Sequence, residues 1–138
     1  MKKKHFLSIL MTVAFMFLFA IPTFAGTMAS RQINQYDMTV TPVTNTLSIS
    51  FSVSGTGLMN KIGCESIYVY EKSGSRWVLT NSWDEDDSGM SRSNAYSNKN
   101  TIYSDSDAGI EYKVVITIYA EDSSDRDTRS KTVFVTGK

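Results

Sequence analysis

The side chains with catalytic or metal-binding potential are few and mostly acidic. The sequence contains one histidine, His5, and one cysteine, Cys64, beside 14 aspartates and glutamates. Because His5 lies in the leader described below, the rest of the chain cannot build a Ser-His-Asp or Cys-His site, or the usual zinc site. Paired carboxylates could hydrolyse glycosides, but a lone small domain has little room for the cleft required. We therefore expect a protein that is not an enzyme and needs no cofactor.

The densest acidic segment reads Asp-Glu-Asp-Asp-Ser-Gly from Asp84 to Gly89. Asp84, Asp86 and Ser88 would supply oxygens at the first, third and fifth positions of a calcium loop, with Gly89 at the sixth. The twelfth position is Ala95, which cannot supply the bidentate carboxylate that completes such a loop. We favour a solvated acidic loop, and keep Asp84, Asp86 and Ser88 as the candidate ligands of a calcium-stabilised alternative.

A predicted hairpin brings several aromatic side chains together. Its strands cover 66–71 and 76–83, on either side of the turn Lys-Ser-Gly-Ser. With Ser73 and Gly74 as a two-residue loop, the facing pairs are Tyr70 with Trp77, Val69 with Val78, and Tyr68 with Leu79. The core side then carries Ile67, Val69 and Val78. The outer side carries Tyr68, Tyr70, Trp77 and Leu79.

An aromatic face outside the core can stack on sugars or bury against a protein partner. Tyr119 is on the non-core side of a strand predicted over 109–120, and joins this face if that strand neighbours strand 66–71. The candidate ligand-binding residues are Tyr68, Tyr70, Trp77 and Tyr119. The alternative is cross-strand pairing that only stabilises the sheet, by about 0.2–1 kcal/mol per pair.

The two clearest strand patterns predict which side chains form the core. Residues 46–54 alternate apolar side chains with serines, which predicts a strand with one wet face. Strand 109–120 has an apolar side made of Tyr112, Val114, Ile116, Ile118 and Ala120. We expect this side to share a core with Ile49 and Phe51. Other predicted strands cover 36–43 and 128–136, and 84–100 is predicted as a long loop before a short strand at 101–103.

About seven strands predict an all-β chain, an antiparallel β-sandwich of immunoglobulin-like or fibronectin type III-like topology. Tyr112, which enters its strand just after a glycine-containing corner, resembles the tyrosine corner of those sandwiches. A small closed barrel is the alternative. The outward serines of 46–54 favour an antiparallel sheet over a parallel sheet covered by helices.

The N-terminus has the pattern of a secretory signal peptide. Lys2–Lys4 precede an apolar run over 6–21, and small residues favour cleavage after Ala25. The predicted organisation is a signal-peptide helix over 1–25, a flexible lead-in over 26–35 and one domain over 36–138. An uncleaved anchor is the alternative.

We expect a secreted, extracellular monomer that leaves the membrane after cleavage. Loss of Lys2–Lys4 leaves three more acidic than basic residues, which disfavours nucleic acid as a partner. The expected partner is an unknown protein or glycan outside the cell. Cys64 is expected to be a small, partly buried residue, and an intermolecular disulfide or reactive thiol is the alternative.

Several short patterns resemble an uncharacterised family of small secreted proteins from Gram-positive, Clostridia-like bacteria. They are Gly55–Gly63, Ser88-Gly89-Met90, Tyr112, Tyr119-Ala120-Glu121 and Asp127-Thr128-Arg129. Met-Asn-Lys-Ile-Gly, at the end of the first, is the most specific. The resemblance implies a single secreted β-sandwich domain and no catalytic residue. It also implies that Cys64 is not required, since similar sequences often have alanine at that position.

Overall fold

The computed structural model describes residues 31–138, which form six β-strands in one antiparallel sheet. The strands are β1 (Ile33–Val43), β2 (Thr46–Ser73), β3 (Arg76–Asp84), β4 (Ser91–Asp105), β5 (Glu111–Glu121) and β6 (Arg126–Thr136). The prediction of an all-β chain is confirmed for this part of the protein, in which no helix could span a membrane. The predicted signal-peptide helix, residues 1–25, lies outside the described residues.

The 28-residue strand β2 organises the sheet, because β1, β3, β4 and β5 all pair with it. Its first half lies between β1 and β4, and its second half lies between β3 and β5, with β6 outside β5. The pairing register shifts between Ser54 and Met59 opposite β4, and between Cys64 and Ser66 opposite β5. Such irregularities bend a strand and increase its twist, so the sheet curls around its buried side.

The buried side of the sheet is the apolar side predicted for β2 and β5. On β2 the period-two pattern buries Leu47, Ile49, Phe51 and Val53. On β5 all five predicted apolar side chains are buried: Tyr112, Val114, Ile116, Ile118 and Ala120. Both sets belong to one hydrophobic cluster, so the predicted shared core is confirmed. Burying each large aliphatic side chain contributes about 1.5–3 kcal/mol to folding.

Strand β2 replaces two predicted strands, 46–54 and 66–71, and continues without a break between them. Neither Gly55 nor Gly57 has a positive φ, so the glycine-containing segment stays extended instead of turning. Strand β1 begins at Ile33, which lies opposite Gly55, so residues 33–35 of the predicted lead-in belong to the sheet. The sheet therefore has six strands instead of about seven.

Strand β4 corrects the prediction of a long loop over 84–100. It covers residues 91–105 and pairs with β2 from Thr46 to Gly63. Only Asn98 and Ser104 of this strand are buried. Because most of its side chains are polar and exposed, the strand lacks the apolar alternation that would have identified it.

The loop of the β2–β3 hairpin is Gly74-Ser75, one residue later than predicted. Gly74 has a φ of 61°, and a type II′ turn requires a positive φ at its first central residue. As a result Trp77 lies opposite Lys72, and Leu79 lies opposite Tyr70. The predicted facing pairs are therefore wrong.

The predicted faces of the hairpin mostly survive this change, because a shift by two residues leaves side chains on the same side of a sheet. Ile67 and Val69 are buried, as predicted. The prediction for Val78 is wrong, since 47% of its side chain is exposed. Val78 lies opposite Glu71 near the hairpin tip, where the core does not cover it.

Candidate binding surface

An exposed aromatic surface lies on the outer side of the sheet, where β3, β2, β5 and β6 are neighbours. One row crosses these strands from Leu79 through Tyr70 and Lys113 to Phe134, each residue opposite the next. At about 4.8 Å per strand, the row is about 14 Å wide. We call the following six residues the aromatic platform: Tyr68, Tyr70, Trp77, Leu79, Lys113 and Phe134.

Trp77 and Phe134 meet above the middle of the platform. Their ring centroids are 5.7 Å apart and the rings are tilted by 53°. They belong to β3 and β6, which are separated by two other strands. Trp77 is half-buried, whereas 63% of Phe134 is exposed. This contact therefore joins the two edges of the four-strand region and leaves one of its rings open to solvent.

Two lysine ammonium groups lie close to the rings of the platform. Lys113 Nζ is 4.3 Å from the centroid of the Tyr70 ring and 5.4 Å from that of Trp77. Lys72 Nζ is 5.7 Å from the Trp77 ring and forms a 2.6 Å ion pair with Glu111. An ammonium near an aromatic face is attracted by the ring quadrupole, worth about 0.5–1 kcal/mol at an exposed site.

A shallow cleft of about 410 Å³ opens beside the Trp77–Phe134 contact. Its lining combines the two rings with polar and charged groups: Lys72, Trp77, Glu111, Phe134, Val135 and Thr136. The surface can therefore stack on a flat apolar group and hydrogen-bond to hydroxyl or charged groups beside it.

Tyr119 does not join the platform. Strand β5 does neighbour the second half of β2, but Tyr119 lies opposite Gly63, whereas Tyr68 lies opposite Val115. Four residues of strand separate the two positions, about 13 Å. Tyr119 is also fully buried, although it is on the non-core side. Of the four candidate ligand-binding residues, the structure brings together Tyr68, Tyr70 and Trp77.

A polar cluster covers Tyr119. The guanidinium carbon of Arg126 is 3.8 Å from the centroid of its ring, and the Tyr119 hydroxyl shares a 2.7 Å hydrogen bond with Ser91 Oγ. Arg126 donates to three carboxylates, those of Glu65, Glu85 and Glu121, at 3.0–3.2 Å. Burial raises the pKa of the Tyr119 hydroxyl. The cluster ties the β3–β4 loop to the β5–β6 turn, which makes Tyr119 a structural residue.

The acidic segment 84–88 uses its carboxylates to form its own turn. Asp84 Oδ1 accepts a hydrogen bond from the backbone N–H of Asp86 at 2.9 Å, and Asp87 Oδ2 accepts from the N–H of Asp84 at 2.8 Å. Asp86 is also 3.5 Å from Lys61 Nζ. Within residues 31–138, no group of three or more acidic, histidine or cysteine side chains is arranged to hold a metal ion.

Cys64 is fully buried between β4 and β5 on β2. Its thiol donates to the backbone carbonyls of Ser66 and Thr117, at 3.4 Å and 3.2 Å. Burial raises the pKa of the Cys64 thiol to about 12. Since the thiolate is the reactive form, the burial of Cys64 makes it inert in the native fold.

Phe134 and Lys113 are the platform residues that the sequence analysis missed. Both lie on predicted strands, and the alternation of Val133 and Val135 with Phe134 could have placed the ring on the outer side. The missing step was the β5–β6 register, which puts Phe134 opposite Lys113.

Comparisons with protein-family models, curated proteins and solved structures find no match to this chain.

Proposed function

We propose that this protein is a secreted recognition module that binds a glycan or protein outside the cell through the aromatic platform. The observation that carries the proposal is the contact between the exposed Phe134 ring and Trp77, which spans the two strands that separate β6 from β3. Cross-strand pairing alone would stabilise the sheet between neighbouring strands. A contact between non-neighbouring strands that leaves apolar surface in water is better explained by a ligand that covers it.

The proposed scaffold is a β-sandwich of the immunoglobulin-like or fibronectin type III-like type. One layer consists of β1, the first half of β2 and β4; the other consists of β3, the second half of β2, β5 and β6. The hydroxyl of Tyr112 supports this, because it accepts a 2.8 Å hydrogen bond from the backbone N–H of Asp107, as in a tyrosine corner. A small closed barrel is the alternative.

The proposed setting is extracellular. Lys2–Lys4, the apolar run over 6–21 and Ala25 support export by a cleaved signal peptide. The resemblance to small secreted bacterial proteins supports the same setting. The burial of Cys64 supports a monomer, since a buried thiol cannot form an intermolecular disulfide. Recognition without catalysis agrees with the carboxylates of Glu65 and Glu85 being engaged by Arg126.

The second candidate is a structural or interaction protein that acts through its acidic loops, with or without calcium. The observation that favours it is Tyr119, which is buried under the β3–β4 loop and cannot contact a ligand. The Asp84–Ser88 turn argues against calcium there, because its carboxylates already accept backbone hydrogen bonds.

Binding to a glycan array that includes cell-wall and host glycans tests the first candidate. We expect Trp77→Ala and Phe134→Ser to lose at least about tenfold in affinity for any glycan that the wild type binds. Tyr96→Ala is the matched control, because Tyr96 is 66% exposed on β4, outside the platform. Unchanged binding by both platform variants, with unchanged melting temperatures, would rule out the platform as the binding site.

A further inference from the structure

Lys113 is a cation without an anionic partner at the centre of the platform. It lies opposite Tyr70 on one side and Phe134 on the other. Its Nζ is close to the Tyr70 and Trp77 rings, and no carboxylate of residues 31–138 forms an ion pair with it. Lys72, in contrast, is paired with Glu111. The platform therefore has one charge that the described part of the chain leaves unpaired.

This unpaired charge restricts what can cover the platform. Aromatic rings attract the ammonium from one side, but its N–H donors still need acceptors, which solvent provides in the free protein. A neutral apolar ligand that displaced this solvent would leave a desolvated charge without a partner, at a high cost in free energy. An anionic ligand would instead form a charge-assisted hydrogen bond with Lys113.

The groups around Lys113 favour a sugar over a peptide as the carrier of that anion. Trp77 and Phe134 provide faces on which the flat C–H side of a pyranose ring can stack. The Glu111 carboxylate in the adjacent cleft can accept hydrogen bonds from hydroxyl groups, and Thr136 can accept or donate. A sugar carries hydroxyl donors for Glu111 beside its anionic group, whereas the ionised side chains of an acidic peptide only accept hydrogen bonds.

We propose that the platform binds an anionic glycan, with the sugar ring stacked on Trp77 and Phe134 and a carboxylate, sulfate or phosphate group on Lys113. This assignment rests on the recognition function proposed above and specifies its ligand. The aromatic rings provide affinity for the sugar, and Lys113 provides selectivity for its charge.

A polyuronic acid and the same polymer after reduction of its carboxyl groups provide matched ligands. We expect the wild-type chain to bind the charged polymer about tenfold or more tightly than the neutral one, since a charge-assisted hydrogen bond is lost on reduction. Lys113→Met keeps the apolar stem and should abolish this preference. Trp77→Ala should weaken binding to both polymers. Lys99→Met, an exposed lysine on β4, is the control and should retain the preference.

The possible results distinguish a failure of the anionic-glycan proposal from a failure of the proposed recognition function. Equal binding of the two polymers by wild type, or a preference that survives Lys113→Met, would overturn the anionic assignment. Equally tight, Trp77-independent binding of polyglutamate would replace the glycan with an acidic peptide. Failure of the wild type to bind the polyuronic acid would also overturn the assignment. The recognition function itself fails only if Trp77→Ala and Phe134→Ser leave every glycan interaction on the array unchanged.

Discussion

The guanidinium of Arg126 lies 3.8 Å above the ring of Tyr119, and together they close the outer side of the sheet at the end opposite the platform. Arg126 also pairs with Glu65, Glu85 and Glu121, which come from β2, the β3–β4 loop and β5. One side chain on β6 therefore connects three other parts of the chain. On the outer side of the sheet, the end that carries Tyr119 is covered by Arg126, and the end that carries the platform is exposed to solvent.

Replacing Arg126 should destabilise the fold. Arg126→Met keeps contact with the Tyr119 ring but leaves Glu65 and Glu121 without their cation, and leaves Glu85 with Lys61 alone. Because the Arg126 side chain is only 27% exposed, we expect a loss of about 2 kcal/mol in the free energy of unfolding, measured by urea denaturation at neutral pH. Arg92→Met, at an exposed position of β4, is the control and should change stability by less than about 0.5 kcal/mol. Equal stability of both variants would contradict the role assigned to the cluster.

Glu85 should make stability depend on pH with a definite sign. Burial would raise the pKa of its carboxyl, but hydrogen bonds from Arg126, Tyr119 and Lys61 outweigh burial and lower the pKa below its ordinary value. A carboxyl of this kind stabilises the fold above its unfolded pKa, and the contribution is lost as the pH falls through the folded pKa. The stability difference between wild type and Arg126→Met should therefore shrink on acidification. A constant difference between about pH 7 and about pH 3 would disprove this linkage.

Gly63 should tolerate no side chain. A Cβ at this position would lie 2.0 Å from the carbonyl oxygen of Met90 and 2.8 Å from the Cα of Ser91, both backbone atoms. We expect Gly63→Ala to lose about 3 kcal/mol or more in unfolding free energy. Gly57→Ala is the matched control, since a Cβ there meets nothing within 4 Å. If both variants unfold at the same urea concentration, the close approach of the β3–β4 loop to β2 is wrong.

Cys64 should react with thiol reagents only after unfolding. With a pKa of about 12, the thiol has a negligible thiolate fraction at about pH 8, and it is buried. We expect no labelling by a chromogenic disulfide reagent in buffer and stoichiometric labelling in urea. Non-reducing gels should show a monomer for wild type and for Cys64→Ala. Rapid labelling of the native chain, or a reducible dimer, would show that the thiol is accessible.

Local patterns were enough to identify the two faces of most strands. Leu47 to Val53 alternate with serines, and Tyr112 to Ala120 alternate with mixed residues, so each segment specifies its own buried side. The outer side of the hairpin was likewise predictable for Tyr68 and Trp77. The hairpin register was not, because choosing between two adjacent loops depended on the φ of Gly74.

What lies beside a strand, or on top of it, was not predictable from these patterns. Strand β4 is polar and takes its place by pairing with β2, so its own residues show no alternation. Tyr119 has the sequence position of an exposed ring, but Arg126 and Ser91 cover it. Phe134 contacts Trp77 across β5 and β2, so this contact depends on the order of the strands in the sheet.

The amino-acid sequence by itself determined an all-β chain, the buried sides of β2 and β5, and a row of aromatic residues outside the core. The tertiary structure alone decided that Tyr119 is buried, that Phe134 and Lys113 complete the platform, and that no carboxylate of residues 31–138 forms an ion pair with Lys113. The physical reason is the distance along the chain between the residues that determine each feature. A period of two is written into neighbouring residues, whereas the environment of an outer face depends on contacts such as Arg126 with Glu65, which are 61 residues apart.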